Sequence, residues 1–171
     1  MIVFDVDQTL VDSTIRENMA RCYKTGNLDL GEYMRVKSLV SLDTALPLGL
    51  AFKELKNGIF NNSDWRLLTA RTFCAKDYLS LSSLLGLTAS DFAYRVICRN
   101  NIGNLGGNPL EQDSGSYKYP VLSLLAKRYG ALTVIDDCPS VLGLIGAWRT
   151  ISAYDFYTLS PAECKSRILS L

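Results

Sequence analysis

A chain of 171 residues with 48 % apolar and 20 % charged residues is long enough to close a real core. Its net charge of +1 offers no broad field to attract nucleic acid or a membrane surface. Histidine is absent, which excludes Ser-His-Asp and Cys-His catalysis, histidine-ligated zinc and phosphohistidine chemistry together.

No apolar run nears the roughly 18 residues that a bilayer crossing needs. The first residues lack the basic start and long apolar centre of a secretory signal, so a cytoplasmic protein is expected. Cys22, Cys74, Cys98, Cys138 and Cys164 are odd in number and never spaced Cys-x-x-Cys, which reads as free thiols in a reducing compartment.

In chain order, Ile2–Asp5 reads as a buried strand. Ser13 can cap a helix to about Lys24, closed by Gly26, and Asp29 can start another toward Leu39. Pro47 opens a helix whose stripe is Leu48, Leu50, Ala51 and Leu55, ending near Asn57-Gly58. Trp65–Leu68 is a second strand, and Asp77 to Leu87 has helical spacing that stops at Gly86 or shortly after.

Tyr94–Cys98 is a third strand candidate, followed from Arg99 to Tyr117 by a long polar segment with four glycines. Pro120 is expected in the first turn of a helix to Arg128, and Ala131–Ile135 is a fourth strand. Asp136-Asp137-Cys138-Pro139 starts a further helix, Trp148–Ala153 is a fifth strand candidate, and Ser160-Pro161-Ala162-Glu163 is a capping box. Such alternation predicts an α/β fold of three layers, a parallel sheet with helices on both faces, in one domain over residues 1–171. Residues 13–46 are more than a simple crossover needs and are expected as a small helical cap over the site, the alternative being that they only decorate the sheet.

The carboxyl ends of parallel strands share one edge, where open α/β folds keep their ligands. That edge collects Asp5 and Asp7, Thr69, the segment after Cys98, and Asp136 with Asp137. Acids so close repel one another unless a cation or proton lies between them. A metal-assisted site follows.

The ordered set of Asp5-Val6-Asp7-Gln8-Thr9, Thr69, Lys118 and Ile135-Asp136-Asp137 resembles the four motifs of the haloacid dehalogenase-like phosphohydrolases. Thr69-Ala70-Arg71, Cys98-Arg99 and the later Trp148-Arg149 resemble more loosely the phosphatase domain of polynucleotide kinases. Gln8 stands where the superfamily usually has glycine.

The resemblance implies that Asp5 is the nucleophile and forms an aspartyl-phosphate, while Asp7 serves the leaving oxygen and then the attacking water. Mg²⁺ is the implied ion, held by Asp5, Asp136 and the Asp7 backbone carbonyl, with Asp137 as a second acid. Thr69 would donate its hydroxyl and backbone N–H to phosphate at a helix start, and Lys118 (Lys127 next) would neutralise the transferring oxygens. Thr9 would buttress the loop at the substrate side; Arg71 and Arg99 would bind substrate, with Phe73, Tyr117 and Tyr119 near enough to stack on a base.

The expected substrate is a nucleotide or nucleic-acid 3′-phosphate end. The alternatives are a 5′-nucleotide, another small phosphometabolite, and, from another class, a non-catalytic binding module on the same fold.

Overall fold

The computed structural model describes residues 1–21, 25, 29–36, 39–61, 64–99 and 113–171. The expected ends of the first helices near Lys24 and Gly26, Cys22, and residues 100–112 of the glycine-bearing segment lie outside them.

Five strands form one parallel sheet: β1 (Ile2–Phe4), β4 (Trp65–Leu68), β5 (Val96–Ile97), β6 (Leu132–Asp136) and β7 (Trp148–Ser152). Their order is β5-β4-β1-β6-β7, so the chain builds outward on one side of β1 and then returns to build on the other. The reversal lies between β1 and β6. That is the crevice in which folds of this kind bind ligands.

Alternation along each strand divides the core in two. Phe4, Trp65, Leu67 and Ile135 point to one face, Val3, Leu68, Leu132 and Val134 to the other. The first face is covered by α3 (Pro47–Gly58), α4 (Ala75–Leu85) and α8 (Pro161–Leu169), through Phe52, Leu55, Leu81 and Ile168. The second is covered by α6 (Ser114–Tyr129) and α7 (Pro139–Leu142), through Tyr117, Leu122, Leu125 and Val141. Burial on both faces is why these strands read as nearly unbroken apolar runs.

Local chemistry sets the helix ends. Pro47 opens α3, and the close approach behind it needs Gly49: a Cβ there would come 2.1 Å from the Leu10 carbonyl oxygen. Gly86, at φ +68°, stops α4. The Ser160–Glu163 box opens α8, Ser160 N–H donating to Glu163 Oε2 at 2.8 Å.

Three expectations shift. A Thr88–Asp91 capping box starts an additional helix, α5 (Ala89–Tyr94), which leaves only Val96–Ile97 for the third strand. Pro120 is not in the first turn of its helix. Asp113 caps α6 seven residues earlier, accepting from Gly115 N at 2.8 Å and Ser116 N at 3.1 Å, so Pro120 falls at the end of the second turn. Two short strands, β2 (Val11–Asp12) and β3 (Thr44–Ala45), were not legible as strands.

That ribbon has a consequence for the segment between β1 and β4. Val11 pairs with Ala45 and Asp12 with Thr44, antiparallel, so residues 13–43 leave and re-enter through one neck. They carry α1 (Thr14–Met19), α2 (Leu30–Val36) and a 3₁₀ turn at Val40–Leu42. Among the described residues no helix is long and apolar enough to cross a membrane, and Cys74, Cys98, Cys138 and Cys164 form no disulfide.

Candidate active site

Register brings the first acids together. Phe4 pairs with Ile135, so Asp5, one residue on, comes level with Asp136 at the end of β6; the Asp5 N–H donates to the Ile135 carbonyl at 2.9 Å. Starting α6 at Ser114 puts Lys118 in its second turn. Its ammonium reaches both carboxylates, donating to Asp5 Oδ1 and Asp136 Oδ2 at 2.6 Å each. All three side chains are buried. Lys127, the other lysine considered, is exposed at the far end of the helix.

Carboxylate oxygens of Asp5, Asp136 and Asp137 lie within 4.8 Å of one another. Three acids around one lysine leave a negative excess. Burial is the largest influence on Asp5; the neighbouring acids add to it, Lys118 opposes it, and the pKa stands well above the ordinary carboxylate range. Asp137 is pushed to about 6, first by burial and then by Asp136. For Lys118 burial acts downward, but Asp5 and Asp136 outweigh it and hold the ammonium charged. Hard oxygens in this number, with uncompensated charge, could hold a divalent cation. Asp136 also caps the following turn, its Oδ1 accepting from Cys138 N–H at 2.9 Å, so a structural and a binding role coexist there.

Asp7 faces a different set of partners. The loop after β1 turns on Val6, whose carbonyl accepts from Leu10 N–H at 2.9 Å and Val11 N–H at 3.0 Å, and on Gln8 at φ +54°. A left-handed Gln costs about 1–2 kcal/mol, which explains glycine at this place in the resembled family. Here Gln8 is clamped: its N–H donates to Val11 O at 2.7 Å, and the Tyr157 hydroxyl donates to its carbonyl. Asp7, just before the turn, receives Arg71 Nε on Oδ2 at 3.1 Å, Arg71 Nη2 on Oδ1, and Arg16 Nη2 at 3.1 Å. Burial alone would raise the Asp7 pKa; the two guanidiniums overturn that and hold it far below the usual range.

Those arginines belong to a larger buried hub. Arg71 also donates to Asp43 Oδ2 at 2.9 Å and to Asp77 Oδ1 at 2.8 Å, and Arg16 Nε donates to Asp43 Oδ1 at 3.0 Å. Arg71 was expected to meet substrate. Its guanidinium is instead enclosed by three carboxylates of the protein, and it does not line the cleft.

The cleft itself, of about 180 Å³, is lined by Asp5, Asp7, Thr69, Lys118 and Asp137, with Gln8 and Glu17 at its side. Thr69 lies in it but not at a helix start: α4 begins only at Ala75, and the Thr69 N–H is used by Ile97 O at 2.9 Å. Its hydroxyl accepts from Arg71 N–H at 3.0 Å, which leaves its own proton to donate. Thr9 is fully buried, and its hydroxyl has no hydrogen-bond partner among the described residues, so it touches no substrate. Arg99 donates to Ala70 O at 2.7 Å and stacks over Tyr117, away from the cleft lining. Phe73 and Tyr117 are buried in the core, and Tyr119 packs edge-on against Trp148.

Sequence reasoning missed Arg16, Asp43, Asp77 and Glu17. Asp43 meets Arg71 across 28 positions, while Arg16 and Asp77 lie only nine and six positions from Asp7 and Arg71 but share no helix or strand with them, so no periodic pattern signals them. Glu17 had a signal: Ser13 stands four residues before it and donates to its Oε1. Burial leads the influences that raise the Glu17 pKa.

The family model described as bacteriophage T5 5′-deoxynucleotidase matches residues 1–158. No curated protein and no solved structure matches the chain. Over most of its length, including every residue of the cleft, the chain belongs to this deoxynucleotidase family, and it is a phosphoric monoester hydrolase.

Proposed function

We propose that the protein is a 5′-deoxynucleotidase that hydrolyses a deoxynucleoside 5′-monophosphate through a phosphoryl group carried on Asp5, on a haloacid dehalogenase-like fold. The observation that supports it most is the meeting of Asp5, Asp136 and Lys118 at the sheet's switch point, within a family named for that activity. The 3′-phosphate end of a nucleic acid loses its support, since Arg71 and Arg99 do not line the cleft.

An Asp5 oxygen attacks phosphorus, the ester P–O bond breaks, and the leaving sugar oxygen takes a proton from Asp7. Water then attacks the phosphoryl group, gives its proton to Asp7, and the Asp5–phosphorus bond breaks to release inorganic phosphate. Lys118 neutralises the oxygens that gather charge on the way, and the Thr69 hydroxyl donates to one of them. Arg71 and Arg16 favour the ionised Asp7 that captures the proton of water. They disfavour the protonated form the first half requires, so formation of the phosphoryl-enzyme is expected to limit turnover. Asp5, Asp136 and Asp137, with the Asp7 carbonyl, would hold a divalent ion such as Mg²⁺, which when bound supplies positive charge against the phosphoryl oxygens.

The test is a phosphatase panel of 5′-deoxynucleotides, 3′-phosphorylated oligonucleotide and p-nitrophenyl phosphate, with and without Mg²⁺. Asp5→Asn should lower kcat at least ~1,000-fold on every substrate, and 5′-deoxynucleotides should be preferred. Hydrolysis surviving in Asp5→Asn would overturn the mechanism.

A further inference from the structure

Four carboxylates line the cleft among the described residues, and one of them has no part in the chemistry above. Asp5 and Asp137 belong to the cluster around Lys118, and Asp7 is held by arginines. Glu17 is oriented by neutral donors. Thr14 Oγ1 donates to Gln8 Oε1 at 3.2 Å, Gln8 Nε2 donates to Ser13 Oγ at 3.2 Å, and the Ser13 hydroxyl donates to Glu17 Oε1. The buried Ser13 hydroxyl and the Gln8 amide both bear on Glu17, whose carboxylate stands at the cleft wall.

A carboxylate beside a phosphate dianion opposes binding unless the substrate also brings it a donor. The space for that donor is limited. At about 180 Å³ the cleft is smaller than the ~300–1,000 Å³ that engulf a drug-sized ligand. A space of that size suits a phosphoryl group and the sugar next to it rather than a whole nucleotide. A 2′-deoxynucleoside 5′-monophosphate has one free sugar hydroxyl, at the 3′ position. A carboxylate has about four acceptor sites, so Glu17 keeps capacity beyond the Ser13 proton.

We propose that Glu17 accepts a hydrogen bond from the sugar 3′-hydroxyl and so selects deoxynucleotides over simpler phosphate esters; this rests on the 5′-nucleotidase reading above. Gln8, in place of glycine, gains a purpose here: its amide sets the direction of the Ser13 hydroxyl.

The experiment compares kcat/KM for a 2′-deoxynucleoside 5′-monophosphate and its 2′,3′-dideoxy counterpart, in the wild type, Glu17→Gln and Glu17→Met. A charge-assisted bond of this kind predicts a wild-type preference of roughly tenfold to a hundredfold for the deoxynucleotide. The ratio should approach one in Glu17→Met and lie between in Glu17→Gln, whose amide still accepts but without charge. The wild-type ratio needs no variant to fold. A wild type that handles both substrates alike, or a folded Glu17→Met that keeps the full ratio, overturns this proposal alone. A wild type that cleaves p-nitrophenyl phosphate but no 5′-deoxynucleotide overturns the nucleotidase reading and this proposal with it.

Discussion

Asp5 and Asp7 are separated by one residue, yet the cations around them differ in number and kind. Asp5 shares a single buried lysine with Asp136, and Asp137 adds a third acid that has no ion pair of its own among the described residues. Asp7 sits against two guanidiniums, which also take Asp43 and Asp77. Arginine forks suit permanent, several-toothed pairing, whereas a lysine is a point charge that other cations can supplement. The Asp5 region is therefore built to accept more positive charge; the Asp7 region is internally paired and ties residues 13–43 to the loop after β1.

The sharpest way to break the contrast is Lys118→Met. It strands two buried acids at once, and loss of one partner in a buried pair costs about 3–5 kcal/mol. At ~2–4 °C per kcal/mol, a fall in Tm of roughly 10 °C or more is expected in EDTA. Millimolar Mg²⁺ should restore much of it.

Arg71→Met removes the partner of three acids and should cost about as much, toward the lower end of that range. Here Mg²⁺ should give no recovery. Thermal melts of both variants with and without the ion check the comparison; equal recovery would show that the two regions do not differ as described.

The pH dependence separates them by sign. The folded pKa of Asp7 is depressed, so its contribution is complete above the unfolded carboxylate range and is lost as pH falls. Asp7→Asn should flatten the acid limb of the stability curve. Asp137 is raised to about 6 by burial and then Asp136, so without divalent ion it favours the fold at low pH and that contribution is lost as pH rises through about 6. Asp137→Asn should therefore be relatively more stable than the wild type near neutral pH in EDTA. Denaturant titrations across pH 3–8 read both effects.

The smallest effect expected is at Thr9→Val. A buried hydroxyl without a partner costs about 1–3 kcal/mol, and an isosteric methyl removes that cost. The variant should melt at the wild-type temperature or a few degrees above it. A clear loss of stability would mean that the hydroxyl is satisfied after all.

Most of the fold was legible because its signals are local. Apolar runs ending in acids marked β1 and β6, Pro47 and the Ser160–Glu163 box marked helix starts, and Gly86 marked a stop. Pro120 misled because a stronger local cap at Asp113 starts the helix first. The Thr88–Asp91 box is equally local, but the apolar pattern of the strand that follows masks it. In the site, Asp5, Asp136 and Lys118 could be read from strand ends and motif order, but Arg71 could not be placed. Whether an arginine meets substrate or its own protein depends on which acids the chain folds around it.

The order of residues along the chain determined by itself a parallel sheet with its acids at one edge, because period-two burial and helix caps act within a few residues. Only tertiary structure decided how those acids are divided between one lysine and two arginines, and that Glu17 enters the cleft. Charge pairing depends on distance through space. Asp7 meets Arg71 across 64 positions and Asp43 meets it across 28, separations over which no periodic pattern carries a signal.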